Sequence, residues 1–207
     1  MEQTNFKRFK KIYKNYLVVF IVYLFLFGSI FSINCNGKNP VTKQIYQEVR
    51  QNTDTQENKL KNNIILEVSK YVKSRAKNAN QFIPKYIVNA ALEHNIDICF
   101  MMAQTQIETN FGTTGIGRES SRRSMFGVMG HRYGSYEDAI NSYCKLLKRS
   151  YLVKGRTEKH LMAKYVTGTG ARYAGNPKYE QELTKAYNII KRSTNIYKLQ
   201  QEYKNKF

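Results

Sequence analysis

The distribution of glycine restricts what this 207-residue chain can fold into more than any other feature of its sequence. Six of the 12 glycines fall between residues 111 and 134, and the segments on either side follow a helical hydrophobic period. Glycine destabilises helices and favours turns. We therefore predict a mainly α fold in which one short glycine-rich loop or β insertion separates two core helices.

Helix start and stop signals divide the rest of the chain. From Leu60 onwards, apolar residues recur every three or four positions, as on one face of a helix. Pro84 suits the first turn of a helix that we predict to end near Glu93, and Asp97 can cap a helix that ends near Asn110. Three more helices are predicted. The first starts at Ser135 with Asp138 and ends near Arg149, the second runs from Thr157 to about Val166, and the third runs from Asn176-Pro177 to about Arg192.

These patterns divide the chain into four regions. Residues 1–35 form a basic stub and an apolar segment. Residues 36–57 are rich in Asn, Gln, Thr and Lys, which is typical of a linker, and a short helix around 41–50 is compatible with it. Residues 58–193 contain the helical domain. Residues 194–207 are basic, and we expect them to fray.

An apolar run of about 17 residues, 17–33, follows a cluster of lysine and arginine residues. This length is near the lower limit for crossing a bilayer, and the positive flank favours the cytoplasmic side. We predict an uncleaved membrane anchor with the rest of the chain exported. Cleavage near Ser32–Asn34 and lipidation at Cys35 remain as alternatives. Cys99 and Cys144 lie in apolar helical stretches and are predicted to be buried and unpaired.

The formal charge is +19, and regions 1–35, 36–90 and 91–207 contribute +4, +6 and +9. Such a chain is attracted to polyanions, including nucleic acid, anionic lipid and acidic wall polymers. The sequence contains no nucleic-acid-binding motif, so we predict no specific nucleic-acid partner. The three histidines lack the spacing of metal ligands, and we expect neither a metal nor another cofactor. We expect a monomer.

Glu108 is the residue whose position most suggests chemistry. It follows Met101 by seven positions and Thr105 by three, so it shares a helix face with core residues. Burial and the negative end of a helix both disfavour the anion, which predicts a raised pKa. A glutamic acid with a raised pKa is what a glycosidase needs to protonate a leaving oxygen. The alternative is a solvated residue at a helix end.

Four short segments follow one another between about residues 85 and 192. They are AQTQIETNFGT (103–113), SMFGV (124–128), YGSYEDA (133–139) and YAGNPKY (173–179). The first resembles the end of the catalytic helix in glucosaminidase-domain peptidoglycan hydrolases, glycoside hydrolase family 73. The others resemble that family's Asn-Leu-Phe-Gly-Ile segment, its Tyr-Ser-Ser-hydrophobic-Glu-Ala helix start and its Tyr-Ala-Thr-Asp-Pro-x-Tyr segment.

The resemblance implies a lysozyme-like helical domain with a cleft between helical lobes and with Glu108 as general acid. It also implies that Tyr173 lines the cleft beside the sugar, and that Phe126 and Gly127 shape the floor. Ser124 stands where the family usually has Asn. The candidate substrate-binding residues are therefore Ser124, Phe126, Gly127, Tyr133, Tyr173 and Tyr179.

A second catalytic group is harder to find. Two-carboxylate glycosidases hold their acids about 5–5.5 Å or about 6.5–9.5 Å apart. Glu119 is the only acid in the glycine-rich insertion, and it is either a second catalytic residue or a solvated charge paired with a neighbouring arginine. The substrate's N-acetyl group or its 6-hydroxyl can replace a second carboxylate.

The predicted function is cleavage of the glycan of N-acetylglucosamine and N-acetylmuramic acid in the cell envelope. A lytic transglycosylase and a non-catalytic wall-binding module on the same fold are the alternatives. The transglycosylase would use the same general acid, Glu108. The wall-binding module is suggested by Ser124, which replaces the family's usual Asn, and by the lack of a clear second carboxylate.

Overall fold

A computed structural model of the protein describes residues 40–119, 122–127, 131–163 and 178–207. The chain divides into two compact units, Met1–Asp54 and Thr55–Phe207. The predicted membrane anchor at 17–33 lies outside the described residues. Among the helices formed by the described residues, none combines the length and the apolar character that a bilayer crossing requires.

The described residues form eight α-helices and contain no strand, which confirms the mainly α prediction. The helices are α1 (Pro40–Arg75), α2 (Ile83–Glu93), α3 (Ile98–Thr109), α4 (Gly115–Arg118), α5 (Tyr136–Leu146), α6 (Glu158–Met162), α7 (Tyr179–Ser193) and α8 (Ile196–Lys206), with a π-helical turn at Leu147–Tyr151 after α5. The described part of the glycine-rich insertion consists of α4 and turns. A β segment there, one of the two predicted forms, is therefore wrong for the described residues.

Helix α3 forms the centre of the second unit. Nine of its 12 residues are buried, because apolar side chains occur on all its faces rather than on one stripe. It packs most extensively against α7 and also contacts α2 and α8. A helix buried on all sides holds its last turn in a fixed position, and that turn carries Glu108.

The predicted helix starts at Asp97 and Ser135 are confirmed. Asp97 Oδ1 accepts hydrogen bonds from the backbone N–H groups of Cys99 and Phe100, at 2.8 and 3.3 Å. Ser135 Oγ accepts from the Asp138 N–H at 3.0 Å. Pro84 lies in the first turn of α2, also as predicted. These caps satisfy N–H groups that a helix start leaves without partners, and so fix where the helices begin.

The C-terminal region differs from the prediction of a frayed tail. Residues Ile196–Lys206 form α8, and Gln200 on this helix is fully buried. Its Nε2 donates to the Ile96 carbonyl at 2.7 Å, and its Oε1 accepts from the Ile98 N–H at 2.9 Å. The basic composition was misleading because the lysines lie on the exposed face of α8. The buried face carries Gln200, which completes the hydrogen bonding at the start of α3.

The region predicted as a linker, 36–57, also differs. From Pro40 onwards it belongs to α1, which is 36 residues long. Proline is favoured at the first position of a helix, and the segment that follows contains no further Pro and no Gly. Its Gln, Lys, Glu and Arg residues are good helix formers. Polar composition alone therefore did not distinguish an exposed helix from a linker.

Both cysteines of the helical region are free and buried, as predicted. Cys99 lies on α3 and Cys144 on α5. Burial raises the pKa of Cys144 to about 12 and raises the pKa of Cys99 as well. Both thiols are thus protonated at neutral pH and act as small apolar side chains in the core.

Candidate active site

The chain reverses direction directly after α3. Asn110, Phe111 and Gly112 have φ angles of 45°, 57° and 77°, three left-handed residues in succession. Left-handed backbone is unfavourable for Phe, and such strain persists only where the surroundings enforce it. Here the Phe111 ring is fully buried and meets Tyr71 edge to face, with ring centroids 6.4 Å apart.

Thr109 connects the end of α3 to the segment that follows the reversal. Its buried hydroxyl donates to the Met125 carbonyl at 2.9 Å and accepts from the Gly112 N–H at 3.1 Å. A single side chain thus fixes both the turn and the returning backbone. As a result, the Phe126-Gly127 segment lies over the last turn of α3, against Glu108.

Gly127 makes the closest approach to Glu108. A Cβ atom added at Gly127 would lie 2.3 Å from Oε2 of Glu108 and 3.0 Å from its carboxyl carbon, closer than real Cβ contacts. Gly127 also has a φ of +66°, which favours glycine. The carboxyl group of Glu108 therefore lies directly on the backbone of Gly127, and a side chain at this position would displace it.

A line of hydrogen bonds approaches Glu108 from the other side. The Tyr143 hydroxyl donates to Oε1 of Gln104, and Nε2 of Gln104 donates to the Tyr179 hydroxyl at 3.4 Å. Tyr179 also lies close enough to Glu108 to lower the pKa of its carboxyl group. We call these three residues, Tyr143, Gln104 and Tyr179, the tyrosine–glutamine chain. It brings together side chains from α5, α3 and α7.

Phe126 joins this arrangement through its ring. It stacks on Tyr143 with ring centroids 3.8 Å apart and an interplanar angle of 9°. Phe126 is only 7% exposed, so its ring supports the site from inside the protein.

The electrostatic setting of Glu108 matches the sequence-based expectation. Burial raises the pKa of Glu108, and Tyr179 lowers it in part. The side chain is partly buried rather than sealed inside the protein. Such a carboxyl group keeps its proton to higher pH than an exposed glutamate and can still reach a ligand, as general acid catalysis requires.

The other predicted site residues differ in whether they lie near Glu108 and in how exposed they are. Tyr179 lies at Glu108, as described above. Ser124 is 1% exposed, which disagrees with a direct contact to a substrate. Tyr133 is partly buried, its carbonyl accepts from Arg123 at 3.3 Å, and its ring stacks on His131. Tyr173 lies outside the described residues.

Glu119 follows α4 and is paired with an arginine. Its Oε2 lies 3.1 Å from Nε of Arg122, and its side chain is 47% exposed. This agrees with the alternative of a paired loop charge. Among the described residues, Tyr179 is the titratable group that affects the pKa of Glu108.

Sequence reasoning assigned no role to Gln104, Tyr143 or Thr109. Gln104 precedes Glu108 by one helical turn, so the spacing i, i+4 was an available signal that the two share a face. Tyr143 carries no such signal, because its partner Gln104 is 39 positions away in sequence.

The sequence around this site is similar to a known protein family. Residues 84–192 match the glucosaminidase family, described as mannosyl-glycoprotein endo-β-N-acetylglucosaminidase. The chain belongs to this glucosaminidase family. The match includes Glu108, Gly127, Tyr143 and Tyr179, so the whole arrangement described above lies within the glucosaminidase domain. A comparison with curated proteins found no significant match.

Membership in the glucosaminidase family supports a glycoside hydrolase that acts on peptidoglycan. The matched region starts in α2 and ends in α7, and so includes α3 with its reversal. Helix α8 follows the matched region, yet Gln200 on α8 hydrogen-bonds to the start of α3. The glucosaminidase domain of this protein therefore relies on a helix beyond the limits of the family match.

Proposed function

We propose that this protein cleaves the bond between N-acetylglucosamine and N-acetylmuramic acid in peptidoglycan, with Glu108 as general acid. The observation that carries the proposal is the setting of Glu108 in a glucosaminidase domain. The carboxyl group is partly buried, has a raised pKa and lies on the backbone of Gly127, near Tyr179. Phe126, Gly127, Tyr133, Tyr173 and Tyr179 are the proposed substrate-binding residues.

In the proposed reaction, Glu108 gives its proton to the glycosidic oxygen as the C1–O bond breaks and positive charge develops at C1. Glu119 is a poor second group, because it is half exposed and paired with Arg122 at 3.1 Å. We favour a route in which the carbonyl oxygen of the substrate's own N-acetyl group attacks C1. Water then opens the resulting ring, and its proton returns to the carboxylate of Glu108.

The test uses the full-length protein on purified peptidoglycan, with products identified by mass spectrometry. Wild type is expected to release new reducing ends of N-acetylglucosamine or N-acetylmuramic acid, which names the bond. Loss of a general acid costs about 10²–10⁴ in rate, so Glu108→Gln is expected to be slower by that factor. Glu119→Gln is the matched control and is expected to retain activity.

Four results would change the proposal. If Glu119→Gln were as inactive as Glu108→Gln, a second carboxylate would be required and the route through the N-acetyl group would be wrong. Products with 1,6-anhydro ends would indicate a lytic transglycosylase, in which the 6-hydroxyl takes the place of water. Sacculus binding without any product would indicate a wall-binding module. Full activity of Glu108→Gln would remove Glu108 from the mechanism.

We further propose that the protein resides in the cell envelope, anchored through residues 17–33 with the glucosaminidase domain exported. The proposal is supported by the apolar run and its basic flank. Membrane fractions washed at alkaline pH are expected to retain the protein, and protease added outside the membrane is expected to digest the domain. A protein released by the wash would contradict the anchor. A shift in mass that Cys35→Ser abolishes would indicate lipidation instead.

A further inference from the structure

Both branches of the Thr109 side chain are held in place. Its Oγ1 donates to the Met125 carbonyl at 2.9 Å and accepts from the Gly112 N–H at 3.1 Å. Its methyl faces Gly117 on α4, because a Cβ atom added at Gly117 would lie 2.9 Å from Cγ2 of Thr109 and 2.7 Å from its Cβ. A β-branched side chain has few rotamers, and contacts on two sides leave Thr109 with one orientation.

The hydroxyl of Thr109 bonds to a carbonyl outside its own helix. A threonine in a helix commonly donates to the carbonyl four positions earlier. Here that carbonyl, of Thr105, lies 3.5 Å from Oγ1 and already accepts from the Phe111 N–H at 3.1 Å. The Met125 carbonyl is nearer, at 2.9 Å, although it is 16 positions away in sequence. The single hydrogen of the hydroxyl therefore goes to the segment that returns after the reversal.

Helix α4 is held against Thr109 from the outside. The hydroxyl of Tyr136, at the start of α5, donates to the Gly117 carbonyl at 3.2 Å. Gly117 is buried, and a Cβ atom added there would also lie 3.0 Å from Cα of Gly112. Gly117 thus packs on the reversal with no room for a side chain, and α4 presents a fixed surface to the methyl of Thr109.

We propose that Thr109 is a positioning residue for Glu108, and that Gly117 keeps its side chain in the required orientation. The Thr109 hydroxyl sets the position of the Met125 carbonyl, and two residues later Gly127 lies against the carboxyl group of Glu108. Thr109 thus decides how closely this backbone approaches Oε2 of Glu108. The inference rests on the proposed role of Glu108 as general acid, because such a group must be held in one place to meet the glycosidic oxygen.

The position of Gly127 has a readout that does not depend on activity. Its backbone covers one side of the Glu108 carboxyl group, and burial is the main cause of the raised pKa of that group. If the segment moves away, water reaches the carboxyl group and the pKa of Glu108 falls, since the anion is better solvated. Among the described residues, Tyr179 is the titratable group that affects this pKa, and it is unchanged in every variant below.

Thr109→Val removes the hydroxyl and keeps the branched shape of the side chain. The methyl that replaces the hydroxyl would start 2.9 Å from the Met125 carbonyl oxygen, whereas contacts between non-bonded carbon atoms are normally about 3.5 Å or longer. The segment must therefore move. A misplacement of about 1 Å can cost about 10²-fold in rate, so kcat on short soluble glycan fragments is expected to fall by about 10- to 100-fold.

The pKa of Glu108 is measured directly, by ¹³C NMR titration of the full-length protein with labelled glutamate carboxyls. The Glu108 signal is assigned by its loss in Glu108→Gln. In Thr109→Val the pKa of Glu108 is expected to fall towards the ordinary value of a glutamate, because the carboxyl group loses the cover of Gly127.

Gly117→Ala tests the proposal from the other side. Gly117 is not among the glycines with a positive φ, so the alanine adds little backbone strain, but its methyl must displace the side chain of Thr109. We expect kcat and the pKa of Glu108 to fall as in Thr109→Val. In the Thr109→Val background, Gly117→Ala is expected to add little, because the hydrogen bond that it disturbs is already lost. Gly117→Ala retains every hydrogen-bonding group, so it tests the proposal even if Thr109→Val does not fold.

Two further variants serve as controls. Thr109→Ser keeps the hydroxyl and is expected to keep the wild-type pKa of Glu108 and most of kcat. Thr105→Val is the same substitution one turn earlier on α3, at a residue that is also fully buried and whose hydroxyl donates to the Met101 carbonyl within the helix. It is expected to leave the pKa of Glu108 and kcat unchanged, even where it lowers the melting temperature.

Three results would overturn the proposal. The first is a pKa of Glu108 that does not fall in either Thr109→Val or Gly117→Ala. The second is an equal fall in Thr105→Val, and the third is a Thr109→Ser variant as impaired as Thr109→Val. Because the NMR titration needs no activity, it separates this inference from the proposed function. Full activity of Glu108→Gln would refute the function, while the titration would still decide whether Thr109 positions the carboxyl group.

Discussion

The carboxyl group of Glu108 lies near residues from different parts of the chain. Tyr179 belongs to α7, and Gly127 to the segment after the reversal. Burial favours the neutral acid and the Tyr179 hydroxyl favours the anion. The balance of the two leaves the pKa raised, which suits a group that must first hold and then release a proton.

The raised pKa of Glu108 affects stability as well as catalysis. A carboxyl group whose pKa is higher in the folded than in the unfolded state binds its proton more tightly when folded, so its ionisation disfavours folding as pH rises. Glu108→Gln cannot ionise. It is therefore expected to melt at a higher temperature than wild type at pH 7, with the difference vanishing below about pH 4. Calorimetry at the two pH values checks this, and an equal difference at both would contradict it.

The close approach of Gly127 to Glu108 predicts a specific loss on substitution. In Gly127→Ala, the new methyl would lie 2.3 Å from Oε2 of Glu108 and would move the carboxyl group. A misplacement of about 1 Å can cost about 10²-fold in rate, so a loss of about that size in product release is expected.

Gly115 provides the control for this change. It also has a positive φ, +55°, but a Cβ added there meets nothing within 4 Å. In both Gly115→Ala and Gly127→Ala, an alanine must adopt a positive φ. This backbone strain alone should lower the free energy of unfolding in urea by about 1 kcal/mol. Only Gly127→Ala should lose activity. Equal losses of activity would mean that backbone strain, and not contact with Glu108, is responsible.

At the scale of the helix, local signals located the starts well and the ends less well. Asp97 and Ser135 cap their helices as predicted, because a cap depends on a few neighbouring residues. The helix predicted to continue to Arg149 instead changes to a π-helical turn after Leu146. The helix from Thr157 ends at Met162, earlier than Val166. The helix start predicted at Asn176-Pro177 lies outside the described residues. Ends depend on packing that sequence signals do not record.

Helix α8 makes a testable contribution to stability through Gln200. Its side chain is fully buried and forms hydrogen bonds to Ile96 and Ile98, at 2.7 and 2.9 Å. Gln200→Ala leaves both backbone groups buried without partners, and each such group costs about 1–3 kcal/mol. We expect a loss of at least about 2 kcal/mol in urea unfolding. Gln201→Ala on the same helix, at a partly exposed position, is expected to change stability by less than about 0.5 kcal/mol.

At the scale of the whole molecule, the charge of +19 is distributed along the sequence rather than confined to a tail. We expect this excess of positive charge to attract the protein to anionic wall polymers. Salt screens such interactions, since the Debye length falls from about 14 Å near 0.05 M to about 5 Å near 0.4 M. Long-range attraction and bond cleavage should therefore respond differently to salt.

This difference can be measured with two substrates. Binding to intact walls is expected to weaken about tenfold or more between these salt concentrations, whereas kcat on short soluble glycan fragments should change little. Walls from which anionic polymers have been extracted are the control and should show a weaker dependence on salt. The same salt dependence on both wall preparations would show that the anionic polymers are not what the charge recognises.

The candidate site could be predicted only in part. The helical period and the start of the glycine-rich insertion located Glu108 at the end of a core helix, and both signals lie within a few residues of it. Ser124 resembled a substrate contact in sequence, but it is 1% exposed. Pattern alone does not reveal which side of a glycine-rich segment faces inward, because such a segment has no regular period.

The sequence by itself determined that this protein is mainly helical, that helices begin near Pro84, Asp97 and Ser135, and that Glu108 lies near the end of a core helix just before the glycine-rich insertion. Each of these depends on residues within about one or two helical turns. The tertiary structure decided that Gly127 lies on Glu108, that α8 completes the start of α3, and that Tyr143 and Tyr179 meet at Gln104. Gln104 and Tyr179 are 75 positions apart, and Ile98 and Gln200 are 102 apart. Contacts over such separations arise when helices pack, and the period of each helix shows which face is apolar without showing which partner will cover it.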